Sequence, residues 1–132
     1  MSGITDLDEL LRSMRPELMP TEFVFCTTSG VLADYVNLEP IATFAESEGL
    51  TLVLEKSQAE KAALAFEGIY QHITLTVHSS LDAVGLTAAV ASKLASKGIS
   101  ANVIAAYYHD HIFVQKDKAT AALSALEEFS AE

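Results

Sequence analysis

The sequence predicts an α+β fold in which antiparallel sheets have helices packed on one face. The second half of the chain indicates this most clearly, because its patterns follow the order strand, helix, strand, strand, helix. Half of the 132 residues are apolar, which is enough to bury the core of one ordinary domain or of two very small modules. The first half gives a weaker version of the same pattern, with a helix ahead of its first strand.

Apolar spacing and turn residues define the elements of the first half. Leucines that recur every three or four residues predict a short amphipathic helix, and Pro16 and Pro20 are expected to end it. Runs of aromatic and β-branched residues predict strands. The predicted elements are a helix with Thr5 as its N-cap, strands at 22–27, 43–46 and 50–55, and a short helix capped by Ser57 and running through Leu64.

The second half repeats this organisation with stronger signals. Ile73, Leu75 and Val77 alternate with polar residues, which is typical of a strand with one buried face. Leu86, Val90 and Leu94 form one stripe of the following helix. The predicted elements are a strand at 69–77, a helix that starts with a capping box at Ser79 and stops at Gly98, strands at 100–107 and 111–115, and a helix at 118–129. This order is ferredoxin-like without an obvious last strand, so two intertwined small modules are expected.

Charge and cysteine content limit the classes of partner. Lys and Arg number 8 against 18 Asp and Glu, and the resulting charge of −10 repels nucleic acid phosphates and anionic membranes, so neither is an expected partner. Cys26 is the only cysteine, which excludes an intramolecular disulfide and suggests a buried thiol in a reducing compartment. No signal sequence or apolar run of about 20 residues is visible, so a cytoplasmic location is predicted.

A family resemblance lies in the segment from residue 73 to residue 104. It contains a strand, a loop of Asp-x-x-Gly type at Asp82 and Gly85, a helix that exits through Gly98, and a strand that begins near Asn102. This combination resembles the ACT domain. The Tyr-Tyr-His-Asp-His hairpin at 107–111 is similar to the aspartokinase-type subgroup, which occurs in small stand-alone bacterial proteins with two tandem modules.

The resemblance implies two ferredoxin-like ACT modules in tandem. Residues 1–66 would form a degenerate N-terminal module and residues 67–132 the C-terminal ACT domain. It also implies a regulatory protein that is not an enzyme, needs no cofactor, and binds an amino acid or similar small ligand at an interface between modules. The exposed sheet edges of such small modules favour a homodimer or a higher homo-oligomer, because pairing covers an open edge.

The turn from strand to helix is the predicted ligand site. The first N–H groups of a helix lack partners and carry a partial positive charge, so they can receive a carboxylate. Asp82 could pair with an amino group or could simply cap the helix. If Gly85 were only an early helical position, valine there would be nearly neutral. The predicted ligand contacts are Ser79, Ser80, Leu81, Asp82, Val84, Gly85, Asn102 and Val103.

Two other functions remain open. His109, Asp110 and His111, with His78, could bind a metal and support a metal-assisted hydrolase or lyase. The favoured interpretation of the triplet is a hairpin turn in which Asp110 satisfies local backbone groups and His109 faces water. A structural interaction module with a vacant ligand loop is the other alternative, because Ala83-Val84 replaces the x-Pro often found before the loop glycine of the family.

Overall fold

The computed structural model describes residues 6–77 and 84–131. Its helices and strands are α1 (Leu7–Ser13), β1 (Pro16–Thr28), β2 (Ala42–Glu46), β3 (Gly49–Glu55), α2 (Lys56–Lys61), β4 (Tyr70–Leu75), α3 (Leu86–Ser96), β5 (Asn102–Ala105), β6 (Asp110–Gln115) and α4 (Ala119–Ala131). The predicted α+β fold is confirmed. Among these helices, none has both the length and the apolar character that crossing a membrane would require.

The chain packs as two compact units. Thr21–Tyr70 forms the middle unit, and the described residues up to Pro20, together with those from Gln71 onward, form the terminal unit. The division between residues 66 and 67 that the sequence suggested stays a prediction.

The terminal unit contains the missing strand of the ferredoxin-like pattern. Its strands lie in the order β1-β4-β6-β5, and the part of β1 that belongs to this unit is Pro16–Pro20. The backbone N–H of Thr76 donates to the carbonyl of Arg15 at 3.0 Å, just ahead of β1. Pro16 stands at the first residue of the strand, where a missing N–H is tolerated.

Three helices cover one face of the terminal sheet. Leu10 of α1 is fully buried in the same apolar cluster as α3, α4, β4 and β6. The predicted stripe of α3 is confirmed, since its buried residues are Leu86, Val90 and Leu94. Lys93 joins α3 to α4 through an ion pair with Glu128, with 2.6 Å between nitrogen and oxygen.

The middle unit is built on three antiparallel strands in the order β2-β3-β1. Val24, Cys26 and Leu52 lie on the face that packs with Ala59 of α2. The predicted burial of Cys26 is confirmed, and burial raises the pKa of its thiol. Two short 3₁₀ turns, at Leu32–Asp34 and Val36–Leu38, occupy the stretch between β1 and β2.

Several boundaries differ from the sequence prediction. The N-cap of α1 is Asp6, whose side chain accepts from the N–H of Glu9, and not Thr5. β1 is a 13-residue strand, Pro16–Thr28, where only 22–27 was expected, because the two prolines border strand backbone instead of merely stopping a helix. α2 begins at Lys56 with Glu55 as N-cap, so Ser57 lies inside the helix. α3 begins at Leu86, later than the predicted start at Ser79.

Candidate functional site

The described part of the predicted ligand turn is Val84 and Gly85. The other predicted contacts of the turn lie outside the described residues: Ser79, Ser80, Leu81 and Asp82. Gly85 is the N-cap of α3 and has no side chain to cap the first amides of the helix. Val84 beside it is 82% exposed. Gly85 thus leaves the first N–H groups of α3 without a side-chain cap of its own, and the start of the helix presents the positive end of the helix dipole.

The backbone at Gly85 requires glycine. Its φ of +98° lies in the left-handed region, which side-chain-bearing residues rarely adopt. A Cβ added there would lie 3.0 Å from Cδ2 of Leu7, which is closer than ordinary packing allows. Gly85 is thus not an ordinary early helical position, which was the condition for valine to be nearly neutral, and any side chain at this position strains the turn.

Asn102 and Val103 begin β5 and have local structural roles. The Nδ2 of Asn102 donates to the carbonyl of Phe113 at 3.1 Å, which ties β5 to β6. Val103 pairs with Ile112 in the antiparallel register and packs, partly buried, against the core of the terminal unit. Their predicted ligand contacts stay predictions.

A buried polar cluster on β4 and β6 was not identified from the sequence. His72 is 6% exposed, and its Nε2 lies 2.8 Å from Nδ1 of His111. The hydroxyl of Thr74 lies 3.2 Å from the same His72 nitrogen and 3.3 Å from the His111 nitrogen. The ring of His72 also stacks on Phe113, with 4.9 Å between centroids and 13° between planes. The three polar side chains thus satisfy one another within the terminal unit.

The histidines of this cluster are held neutral. Burial, reinforced by repulsion from His111, lowers the pKa of His72 to about 4. The pKa of His111 is also lowered, mainly by burial. One ring nitrogen of the short contact must therefore donate its proton while the other accepts it. This arrangement suits a structural hydrogen bond better than a metal ligand set.

The hairpin that leads into β6 corrects the turn interpretation of the His-Asp-His triplet. The turn closes through Ala106 N–H donating to the carbonyl of His109 at 3.1 Å, and Asp110 is already the first residue of β6. Asp110 is 8% exposed, and burial raises its pKa against the opposing effect of His111 and His109. His109 is half-buried with its Nδ1 3.3 Å from the carbonyl of Val77, so it does not simply face water.

The triplet does not assemble a metal site in the described part of the chain. Over residues 6–77 and 84–131, no group of three or more His, Cys, Asp or Glu side chains is arranged to hold a metal ion. His78, the fourth residue of the proposed set, lies outside that part.

In the middle unit, the turn that follows β1 lines an open cleft. The cleft has a volume of about 550 Å³ and lies between Ser29–Leu32 and the β2–β3 hairpin. Gly30 donates its N–H to the hydroxyl of Thr28 at 3.1 Å, and that hydroxyl shares a hydrogen bond with Tyr35. This turn is therefore held in shape from within the unit and leaves room for a small molecule.

Comparison with known proteins identifies the family. Models of the ACT domain match residues 2–71 and residues 68–128. A Vibrio cholerae protein of unknown function, described as a possible transport protein, is 64% identical, with a TM-score of 0.88 over 98% of this chain and 99% of that chain. No curated protein sequence matches the chain.

Two aspartate kinases share the fold at low identity. The ligand-free regulatory subunit from Thermus thermophilus is 12% identical, with a TM-score of 0.62 over 86% of this chain and 95% of that chain. Escherichia coli aspartokinase III, in complex with aspartate and ADP, is 13% identical, with a TM-score of 0.64 over 89% of this chain and 33% of that chain. Since family matches cover both halves in succession, the chain belongs to the ACT domain family and contains two such domains in tandem.

Proposed function

We propose that this chain is a non-enzymatic regulatory protein whose C-terminal ACT domain binds an amino acid or a similar small ligand at the turn that contains Gly85. ACT domains are regulatory modules that bind small ligands, which supports the regulatory role. The observation that supports the choice of site is that α3 starts at a glycine N-cap with φ +98°, which has no side chain to cap the helix. Neighbouring Val84 is exposed, so a ligand can reach this backbone.

The chemistry of the turn fits a ligand carboxylate. Backbone N–H groups at the first turn of an α-helix donate to an anion without reorganising, and the helix dipole adds a favourable field. Gly85 allows the left-handed backbone that sets the direction of these N–H groups, since it has no Cβ. In this proposal Asp82 pairs with the amino group, which would give a zwitterion both of its complements. The ligand-sized cleft at Ser29–Leu32 supports turn-centred binding, since it occupies the same kind of position in the other unit.

Gly85→Ala is expected to abolish or strongly weaken ligand binding. The added methyl group would lie 3.0 Å from Cδ2 of Leu7, and it would strain the turn by about 1–2 kcal/mol because φ is positive, so the backbone amides that the ligand would use should shift. Gly98→Ala is the matched control: Gly98 follows the other end of α3, has φ +74°, and has open space where an added Cβ would lie. Calorimetry of the wild type and both variants against the twenty amino acids, one at a time, measures the difference.

The control separates binding from stability. Both variants place a Cβ at a positive φ, so both should lower the melting temperature by a few degrees. Only Gly85→Ala should lose the response to the amino acid that the wild type binds. A Gly85→Ala protein that binds normally would remove the site from this turn, and silence of the wild type across the whole panel would favour a structural module without ligand.

Self-association is the second part of the proposal. β2 lies at the edge of the middle unit's strand order, and Phe44 on that strand is 70% exposed. Val31, Leu32 and Ile41 are further exposed apolar side chains of the same unit. An open edge with exposed apolar residues is stabilised when a second copy covers it.

Light scattering at high micromolar concentration is expected to give the mass of a dimer or a larger oligomer. Phe44→Glu should shift the mass toward the monomer, because it places a charge on the exposed edge strand of an already acidic chain. Val36→Glu adds the same charge at an exposed apolar position outside the edge strand and should leave the mass unchanged. A monomeric wild type, with and without ligand, would contradict self-association.

The metal-assisted alternative gains no support from the described geometry. His111 is engaged with His72 at 2.8 Å, and Asp110 is buried. Stoichiometric zinc in protein purified without an affinity tag would nevertheless revive it. We also propose a cytoplasmic location, which fits the single, buried and unpaired thiol of Cys26.

A further inference from the structure

The middle unit contains an open cavity of about 690 Å³, and Gly85 is not among its lining residues. Its volume lies within the range of small-molecule sites, which is about 300–1,000 Å³. All of its lining residues belong to the middle unit: Phe25, Cys26, Thr27, Glu46, Thr51, Ala65, Phe66, Glu67, Gly68 and Tyr70.

Aromatic rings form the apolar part of the cavity. Phe25 and Tyr70 meet edge to face, with 5.3 Å between centroids and 72° between planes. Phe66 lines the cavity from the segment that follows α2 and is half-buried. Gly68 leaves room for the Tyr70 ring, since a Cβ there would lie 3.2 Å from Cε1 of the ring. The aromatic lining therefore offers apolar surface and π-faces, and a π-face attracts an organic cation.

Carboxylates supply the charge of the cavity. Glu46 and Glu67 both line it. The Thr51 hydroxyl donates to Oε1 of Glu46, which orients that carboxylate on the β2–β3 hairpin. The middle unit has eight carboxylates against two lysines, a formal charge of −6, and neither Lys56 nor Lys61 lines the cavity. This field concentrates cations and repels anions.

We propose that this cavity binds an organic cation with an aromatic or other apolar group, such as a primary amine that lacks a carboxylate. The ammonium group would lie near Glu46 and Glu67, and the apolar part would pack on Phe25, Phe66 and Tyr70. A free amino acid is disfavoured, because its own carboxylate would meet two glutamates without a lysine or arginine in the lining. The middle unit would therefore bind the positively charged group of its ligand, whereas the turn at Gly85 would bind a carboxylate.

Three matched probes test the charge preference: 2-phenylethylammonium, its anionic analogue 3-phenylpropionate, and phenylalanine, which adds a carboxylate to the amine. Each is titrated into the ¹⁵N-labelled full chain while amide chemical shifts are recorded. We expect saturable binding of 2-phenylethylammonium, with shifts concentrated at Thr51 and Gly68. The other two probes should bind this cavity at least tenfold more weakly. Shifts of phenylalanine at Gly85 would report the other site and would not affect this comparison.

A double variant that replaces both cavity carboxylates by neutral amides tests their role directly. Glu46→Gln with Glu67→Gln should weaken 2-phenylethylammonium binding by about fivefold or more, from the loss of two partly solvated ion pairs. The control is Glu48→Gln, which removes one charge from the same hairpin. The Glu48 carboxylate accepts from the Ser47 hydroxyl. The affinity of this variant for 2-phenylethylammonium should change less than twofold. Amide spectra establish that both variants are folded. Equal affinity for the three probes, absence of saturable shifts at the cavity, or wild-type affinity in the double variant would overturn the proposal.

Discussion

Leu10→Ala is expected to lower the free energy of unfolding by about 2–5 kcal/mol, which is the usual cost of truncating a fully buried leucine. Leu10 has no exposed surface, and it packs in one cluster with Ile73, Leu94 and Leu126. These partners lie more than sixty residues away along the chain. The loss therefore measures how firmly the first helix belongs to the terminal unit, and urea unfolding at pH 7.5 measures it.

Leu11→Ala is the matched control for this prediction. Leu11 is the next residue of the same helix and is only partly buried against the same cluster. Its truncation removes the same atoms and keeps the same helix propensity, so it should cost clearly less than Leu10→Ala. Equal costs for the two variants would mean that α1 is not fixed against the terminal core.

Local periodicity was sufficient to predict the elements of the terminal unit. The stripe of Leu86, Val90 and Leu94 is buried as expected, because helical spacing alone decides which side chains share a face. Ile73 and Leu75 are likewise buried in the same core. These predictions depend only on residues close in sequence, where the period of the pattern carries the information.

The strand formed by Pro16–Pro20 could not be predicted in the same way. Its partner β4 begins fifty residues after Pro20, and no local pattern states which distant strand will pair with it. The two prolines were interpreted as helix terminators, which is correct for α1, but Pro16 also begins the extended segment and Pro20 lies within it. Long-range pairing thus decided the identity of the last ferredoxin-like strand.

The polar cluster at His72 depends on the same missing information. His72 and Thr74 alternate with buried Ile73 and Leu75, so the sequence does contain a signal for a polar face on β4. That signal becomes a site only when β6 lies beside β4 and brings His111 within 2.8 Å. The positive φ of Gly85 was similarly invisible, because the sequence shows a glycine but not the backbone angle that requires it.

The stability of the protein is expected to fall on mild acidification because of His72. Its pKa is lowered to about 4 in the folded chain, so the unfolded chain binds the proton first as pH falls below the ordinary value of 6.5. The full contribution is therefore present above pH 6.5 and is lost as pH falls toward 4. Between pH 7.5 and pH 5 the loss from this group is about 2 kcal/mol, with a further loss from His111, whose pKa is also lowered.

His72→Gln should remove most of this pH dependence, because glutamine can hydrogen-bond to His111 and Thr74 but does not titrate. The matched control is His109→Gln, which removes an imidazole from the neighbouring hairpin outside the His72–His111 contact. Urea unfolding at pH 7.5 and pH 5 gives the difference for each protein. Asp110, whose raised pKa acts in the opposite direction, is retained in both variants, and its pKa should rise further in His109→Gln because the lowering effect of His109 is lost. If His72→Gln loses as much stability between the two pH values as the wild type does, the buried imidazole is not the acid-sensitive group.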